Sequence, residues 1–163
     1  MPALIIFAMS DLSILERLKS EGVVKYTLFS LLSCIAIIIT LVLISCYVLF
    51  EPKLPDILLI WMINNFFFVC FSEEVFFRGF IQRTLQNLLP KQQMLAVIIT
   101  TLIFGAMHYR GGLTYIALSS IGGFFNGYTY YKTNRILCTR IVHFALNLFH
   151  ILLFTYPALI KTI

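Results

Sequence analysis

Phe66-Phe67-Phe68-Val69-Cys70-Phe71-Ser72-Glu73-Glu74-Val75-Phe76-Phe77-Arg78 sets two adjacent glutamates and an arginine inside an apolar run. A charge at the centre of a membrane helix costs ~2.5 to 3.5 kcal/mol on insertion scales, so such groups need partners or a function. The whole chain has this character: of 163 residues, 60% are hydrophobic and 12% charged. Soluble domains run at roughly 45 to 50% apolar and about 25% charged. The composition therefore points to an integral membrane protein, with room for roughly four to six spans and little outside the bilayer.

Outward from that run, the apolar stretch begins at Asp56 and continues to about Leu89, too long for one upright span of ~20 residues. It reads as a long tilted helix or as a span joined to a cytoplasmic extension. Before it, Tyr26 to Phe50 is an uncharged span ended by Glu51-Pro52-Lys53-Leu54-Pro55, a turn that cannot continue a helix. After it, Gln93 to His108 forms a third span that stops at Tyr109-Arg110-Gly111-Gly112, where paired glycines favour a turn. Leu113 to Tyr131 is a fourth, and its Ser119, Gly123 and Gly127 put small residues on one face as a packing seam. Ile136 to Tyr156 is a fifth and ends before Pro157. Near the start, Ser10 to Lys19 reads as a short amphipathic helix with Leu12, Leu15 and Leu18 on one side. Met1 to Met9 lacks the basic n-region and cleavage site of a signal peptide. The expected fold is an all-α polytopic transmembrane helix bundle of about five spans with a short N-terminal interfacial helix. Residues 1–22 would form the interfacial segment, 23–52 an anchoring helix and 53–163 the core.

The formal charge of +5 comes from twelve scattered Lys and Arg residues, with no basic stripe or nucleic-acid motif, so nucleic acid is not an expected partner. With the N-terminus in the cytoplasm, Arg17, Lys19, Lys25, Arg83, Lys91, Lys132, Arg135 and Arg140 lie inside. Lys53, Arg110 and Lys161 lie outside, which satisfies the positive-inside rule. On straight helices His108 would then sit nearer the outer face than Glu73 or His143. Tilt or a broken helix must close that gap. The four cysteines, Cys34, Cys46, Cys70 and Cys138, lie in apolar segments without metal-site spacing and read as buried free thiols.

Glu74 and Arg78 are four apart, with the acid N-terminal to the base, and share a helix face. Glu73 is rotated by about 100° from Glu74 and points elsewhere. A carboxylate beside a guanidinium stays ionised, whereas a desolvated one takes up a proton more readily. Glu73 is thus the candidate proton acceptor and Glu74 the structural partner. The plainer alternative is that both glutamates serve only as hydrogen-bonding glue between helices. His108 alone would pass for an interfacial residue. His143, Asn147 and His150 follow an i, i+4, i+7 spacing close to Arg140, a polar stripe that must face the bundle interior or a water-filled cavity. Its plainer reading is a structural hydrogen-bond ladder. Arg140, His150 and Asn126 are candidate cavity-lining residues.

Taken in order, Glu73-Glu74-x-x-x-Arg78, Phe104-x-x-x-His108 and His143-x-x-x-Asn147 fall on successive segments. Together with Glu74-Val75-Phe76-Phe77-Arg78-Gly79 and Gly127-Tyr128-Thr129-Tyr130-Tyr131-Lys132-Thr133, they make the chain resemble the CPBP family, the CAAX proteases and bacteriocin-processing (Abi) enzymes, over roughly Asp56 to Phe149. The resemblance implies a metal-free intramembrane glutamate endopeptidase, with residues 53–163 as its protease core. Glu73 and His108 would activate a water, His143 and Asn147 would stabilise the oxyanion, and Glu74 and Arg78 would support them. The implied partners are the lipid bilayer and a membrane-associated protein or peptide substrate, and the implied location is the prokaryotic cytoplasmic membrane. Self-association into a homo-oligomer stays open.

A covalent nucleophile is not expected, because Cys70 lies in a phenylalanine-rich stretch that disfavours a thiolate and Ser72 has no base at an obvious spacing. No metal is expected either. Zinc nevertheless remains an alternative, since Glu73, His108 and His143 could supply a two-histidine, one-carboxylate shell even without an HExxH motif. A non-enzymatic immunity or partner-binding protein that keeps the polar core for packing is a further alternative, as is a proton-relaying transporter or channel.

Overall fold

The computed structural model describes residues 22–45 and 48–155. The interfacial helix expected at Ser10 to Lys19, Cys46 and the last residues of the fifth segment lie outside them. Among the described residues all regular structure is helical except for one isolated antiparallel bridge between Phe50 and Phe154. Five helices follow in order: α1 Val23–Ser45, α2 Leu58–Leu88, α3 Gln93–Met107, α4 Gly112–Thr133 and α5 Ile136–Leu153.

In a bilayer every backbone polar group must find its partner within the protein, and the helix ends show how this is done. Glu51 N–H donates to Leu153 O at 2.8 Å and Lys53 N–H to Leu152 O at 2.8 Å. The proline-bounded segment after α1 thereby satisfies carbonyls that the end of α5 would leave unpaired. Hydroxyls inside α1 are satisfied in the same spirit, with Thr27 donating to Val23 O and Thr40 to Ala36 O, each at 2.8 Å.

The α2 helix is not uniform. Leu58–Asn64, Phe71–Glu74 and Arg83–Leu88 are α-helical, whereas Asn65–Cys70 and Val75–Gln82 are π-helical. π segments are rare and concentrate at functional positions. Here they flank the two glutamates on both sides. The 31 residues of α2 exceed what a ~30 Å hydrocarbon core requires, as the sequence suggests for a span with an extension.

The five expected segments are all present as helices, but they do not all cross alike. α1, α2 and α5 are each long and apolar enough to span a membrane alone. α3 has 15 residues, roughly 22 Å at ~1.5 Å per residue, which falls short of the hydrocarbon thickness. It passes the test together with the segment that follows it, as a pair bent by 57°. The bend is made by the short 3-10 turn Tyr109–Gly111 and by Gly112, whose φ of 79° is reached easily only without a side chain. The structure thus has a broken helix next to His108, one of the two devices, tilt or a break, that the sequence leads one to expect there.

α3 and α4 pack closely along the small-residue face of α4. A Cβ on Gly123 would meet Phe104 Cδ1 at 2.8 Å, and one on Gly127 would meet Val97 Cγ1 at 3.0 Å. The seam expected at Gly123 and Gly127 is therefore real, while Ser119 lines a cavity instead. Because Phe104 is itself buried, it cannot swing away freely. Gly123→Val is expected to cost about 1 to 3 kcal/mol through overpacking, read as a lower thermal unfolding midpoint in detergent. An unchanged midpoint would contradict the close approach.

Candidate active site

Glu74 lies at the centre of the bundle and is fully buried. Its Oε2 is 3.2 Å from Arg78 Nε on the same helix, as the i, i+4 spacing suggests. Its Oε1 accepts from Asn126 Nδ2 of α4 at 3.1 Å and from His143 Nδ1 of α5 at 2.8 Å. One carboxylate thus ties three helices together. Arg78 is also fully buried. Its Nη2 donates to Gly123 O at 3.1 Å, and its guanidinium lies 4.9 Å from the centre of the Phe104 ring. One turn on, Gln82 Nε2 donates to Gly127 O at 2.9 Å. The glycines that let α4 approach α3 also open carbonyls to the polar side chains of α2.

The contact to Glu74 fixes the histidine. An ionised carboxylate can only accept, so His143 Nδ1 carries the hydrogen and Nε2 is the ring atom left for chemistry. That Nε2 is 3.9 Å from Glu73 Oε2, beyond hydrogen-bond range. The two glutamates therefore address the two nitrogens of one imidazole. Their settings differ: the Glu73 side chain is 31% exposed and that of Glu74 0%.

His108 caps α3, and its Nδ1 is 2.8 Å from Phe104 O. A carbonyl accepts, so here too Nδ1 is the donor and Nε2 is left over. The Phe104 ring stands between the histidines, with centroid distances of 4.7 Å to His108 and 5.9 Å to His143. Both line a cavity of about 110 Å³, together with Asn126, Asn147, His150 and the apolar side chains of Ile38, Leu118 and Leu146.

Of the residues singled out from sequence, His108, His143 and Asn147 thus share one cavity wall, as do Asn126 and His150. Glu73 is not part of that wall and approaches it through His143. Among the described residues no hydrogen bond or ion pair joins Glu73 to His108. Arg140 lies outside the wall, its guanidinium 4.3 Å from the centre of the Phe66 ring and 5.5 Å from that of Phe71. Cation-π attraction of this kind draws the guanidinium onto the ring faces. Among the described residues no three His, Cys, Asp or Glu side chains come together as a metal-ligand set. Glu73, His108 and His143 are thus not arranged as a zinc shell.

Sequence reasoning missed Asn65. Its Oδ1 accepts from Cys70 Sγ at 3.1 Å and from Asn147 Nδ2 at 3.3 Å. Asn65 and Cys70 are five residues apart, which ordinary helical spacing does not bring together. Cys70 is otherwise inert, buried as expected with Cys34 and Cys138 as free thiols.

A five-helix apolar bundle whose polar side chains from α4, α5 and the end of α3 converge on one small cavity, backed by the buried Glu74 of α2, is an integral membrane protein built around an internal site. The family model for type II CAAX prenyl endopeptidase Rce1-like proteins matches residues 55–149, more than half of the chain. The chain belongs to this family of CAAX-type intramembrane endopeptidases. Comparison with curated proteins and with solved structures finds no match.

Removing one partner of a buried ion pair leaves an uncompensated charge, at about 3 to 5 kcal/mol. Arg78→Met is therefore expected to lower stability by that order in detergent unfolding. Arg78→Met combined with Glu74→Gln should recover part of the loss, and a double variant no better than the single would contradict a Glu74 charge held by Arg78.

Proposed function

We propose that the chain is an intramembrane endopeptidase of the glutamate type, which hydrolyses a peptide bond of a membrane-associated protein or peptide. The observation that carries this reading is the placement of Glu73 and Glu74 on opposite nitrogens of His143, with Arg78 paired to Glu74 and, among the described residues, no Arg or Lys paired to Glu73. A sealed carboxylate orients the ring, and an open one remains for proton transfer.

In the proposed reaction His108 Nε2 accepts one O–H of a water and Glu73 removes the proton of the other as the oxygen adds to the carbonyl carbon. The carbonyl oxygen becomes an oxyanion held by the Asn147 amide and by His143 Nε2–H. Because Nδ1–H already donates to Glu74, donation from Nε2 requires that His143 enter the reaction protonated on both nitrogens, as an imidazolium that the Glu74 carboxylate stabilises. When the tetrahedral centre collapses, the C–N bond breaks and Glu73 returns its proton to the leaving amine. Electrostatic stabilisation of this kind is worth about 10²- to 10³-fold per donor. We further propose a prokaryotic cytoplasmic membrane, as the family resemblance implies, with the N-terminus inside on the distribution of Lys and Arg between the helices.

Glu73→Ala and His108→Ala are expected to abolish cleavage while the proteins still insert and melt as the wild type does. The measurement compares membrane proteomes of cells carrying wild-type protein and each variant for new peptide termini. Termini that appear with wild type and vanish with both variants support the mechanism and reveal the substrate. Undiminished cleavage in either variant rules it out. A cellular phenotype that survives Glu73→Gln at normal protein levels would favour a non-enzymatic partner-binding role.

A further inference from the structure

The polar contacts of Asn147 point away from the cavity that it lines. Its Nδ2 donates to Asn65 Oδ1 at 3.3 Å and approaches Cys70 Sγ at 3.7 Å. Those two acceptors are themselves hydrogen-bonded at 3.1 Å, close enough for one N–H of the amide to be shared between them. Sharing of that kind leaves the second N–H, about 120° away on the planar amide, to a group in the cavity. Free rotation of an asparagine side chain would blur that direction. A fixed first N–H defines it.

The partner that fixes it is itself fixed by the winding of α2. On an α-helix, residues five apart are rotated by about 140° from one another and cannot meet. The Asn65–Cys70 segment is π-helical, and there the fifth residue returns to the same side. The Cys70 thiol donates to Asn65 Oδ1, which turns the oxygen of the Asn65 amide, not its nitrogen, toward Asn147. Asn65 and Cys70 are both buried, and neither lines the cavity.

We propose that Asn65 is a positioning residue, which through its Cys70-oriented carbonyl oxygen holds the Asn147 amide with one N–H directed at the oxyanion of the substrate. The inference rests on the oxyanion role of Asn147 given above. It adds a residue that acts only through Asn147 and gives the π segment a task in the reaction.

The test is a double-mutant cycle on cleavage in cells, the probe being the membrane proteins whose new termini depend on Glu73, at matched levels of each variant. Asn147→Ala is expected to slow cleavage by about 10²- to 10³-fold. Asn65→Leu, close to asparagine in size, is expected to slow it by about 10-fold or more in the wild-type background. In the Asn147→Ala background it should cost less than about 2-fold, because the group it positions is gone. A structural role would lower activity by the same factor in both backgrounds, and that result overturns the inference while leaving the oxyanion role intact. Wild-type rates in Asn147→Ala would overturn both. Should Asn65→Leu fail to accumulate, Asn65→Ala takes its place in the cycle, with thermal melting to confirm a folded protein in each background.

Discussion

Glu74 is the constraint on which the remaining geometry depends. A carboxylate at zero exposure in a membrane protein must be neutralised and hydrogen-bonded at once, and here the requirement is met by Arg78, Asn126 and His143. Each partner arrives on a polypeptide segment whose position the carboxylate then dictates. Arg78 fixes the winding of α2, Asn126 the rotation of α4, and His143 the rotation of α5. Between apolar helices in lipid there is little hydrophobic preference for one rotation over another, since the tails are as apolar as the side chains. A buried ion pair with two further hydrogen bonds supplies the specificity that packing lacks.

The consequences run outward along α4. For Arg78 and Gln82 to reach backbone oxygens at Gly123 and Gly127, the surface of α4 must carry no side chain there. The same glycines admit Phe104 and Val97 from α3. Phe104 is held between the Arg78 guanidinium and the two histidines, so the ion pair and the cavity wall share one ring. The bend after α3 then matters for a chemical reason. The turn at Tyr109–Gly111 ends the helix just after His108, which faces the cavity, and redirects the chain so that Tyr115 and Leu118 of α4 join the same wall.

Much of this can be read from residue spacing. Glu74 and Arg78 are four apart in one helix, and their pairing is a local matter of helical geometry. Gly123 and Gly127, and the polar face His143, Asn147 and His150, follow from the same period. What spacing does not reveal depends on departures from that period or on contacts between helices. Asn65 meets Cys70 only because α2 locally widens to a π turn, which leaves no mark in a 3.6-residue pattern. That His143 points Nδ1 at Glu74 and Nε2 toward Glu73 is a fact about the relative rotation of α2 and α5. Arg140, polar in sequence and close to the stripe, turns out to rest on Phe66 and Phe71 rather than on the cavity. Attraction to neighbouring ring faces, which the spacing of polar residues does not reveal, holds this cation away from the pocket.

Two glutamates adjacent in sequence end in unlike surroundings because consecutive helical positions differ by about 100°. The rotation that turns Glu74 into the centre of the bundle turns Glu73 toward a partly exposed position, 3.9 Å from His143 Nε2. A carboxylate held by an ion pair on one oxygen and two hydrogen bonds on the other cannot take up a proton without loosening the bundle that it organises. A carboxylate without such partners can change protonation at small structural cost. The imidazole between them transmits the rigidity of one to the chemistry of the other, since the Glu74 bond holds the ring still while its far nitrogen faces Glu73. In the proposed reaction the adjacent acids are therefore one structural charge that supports one reactive charge.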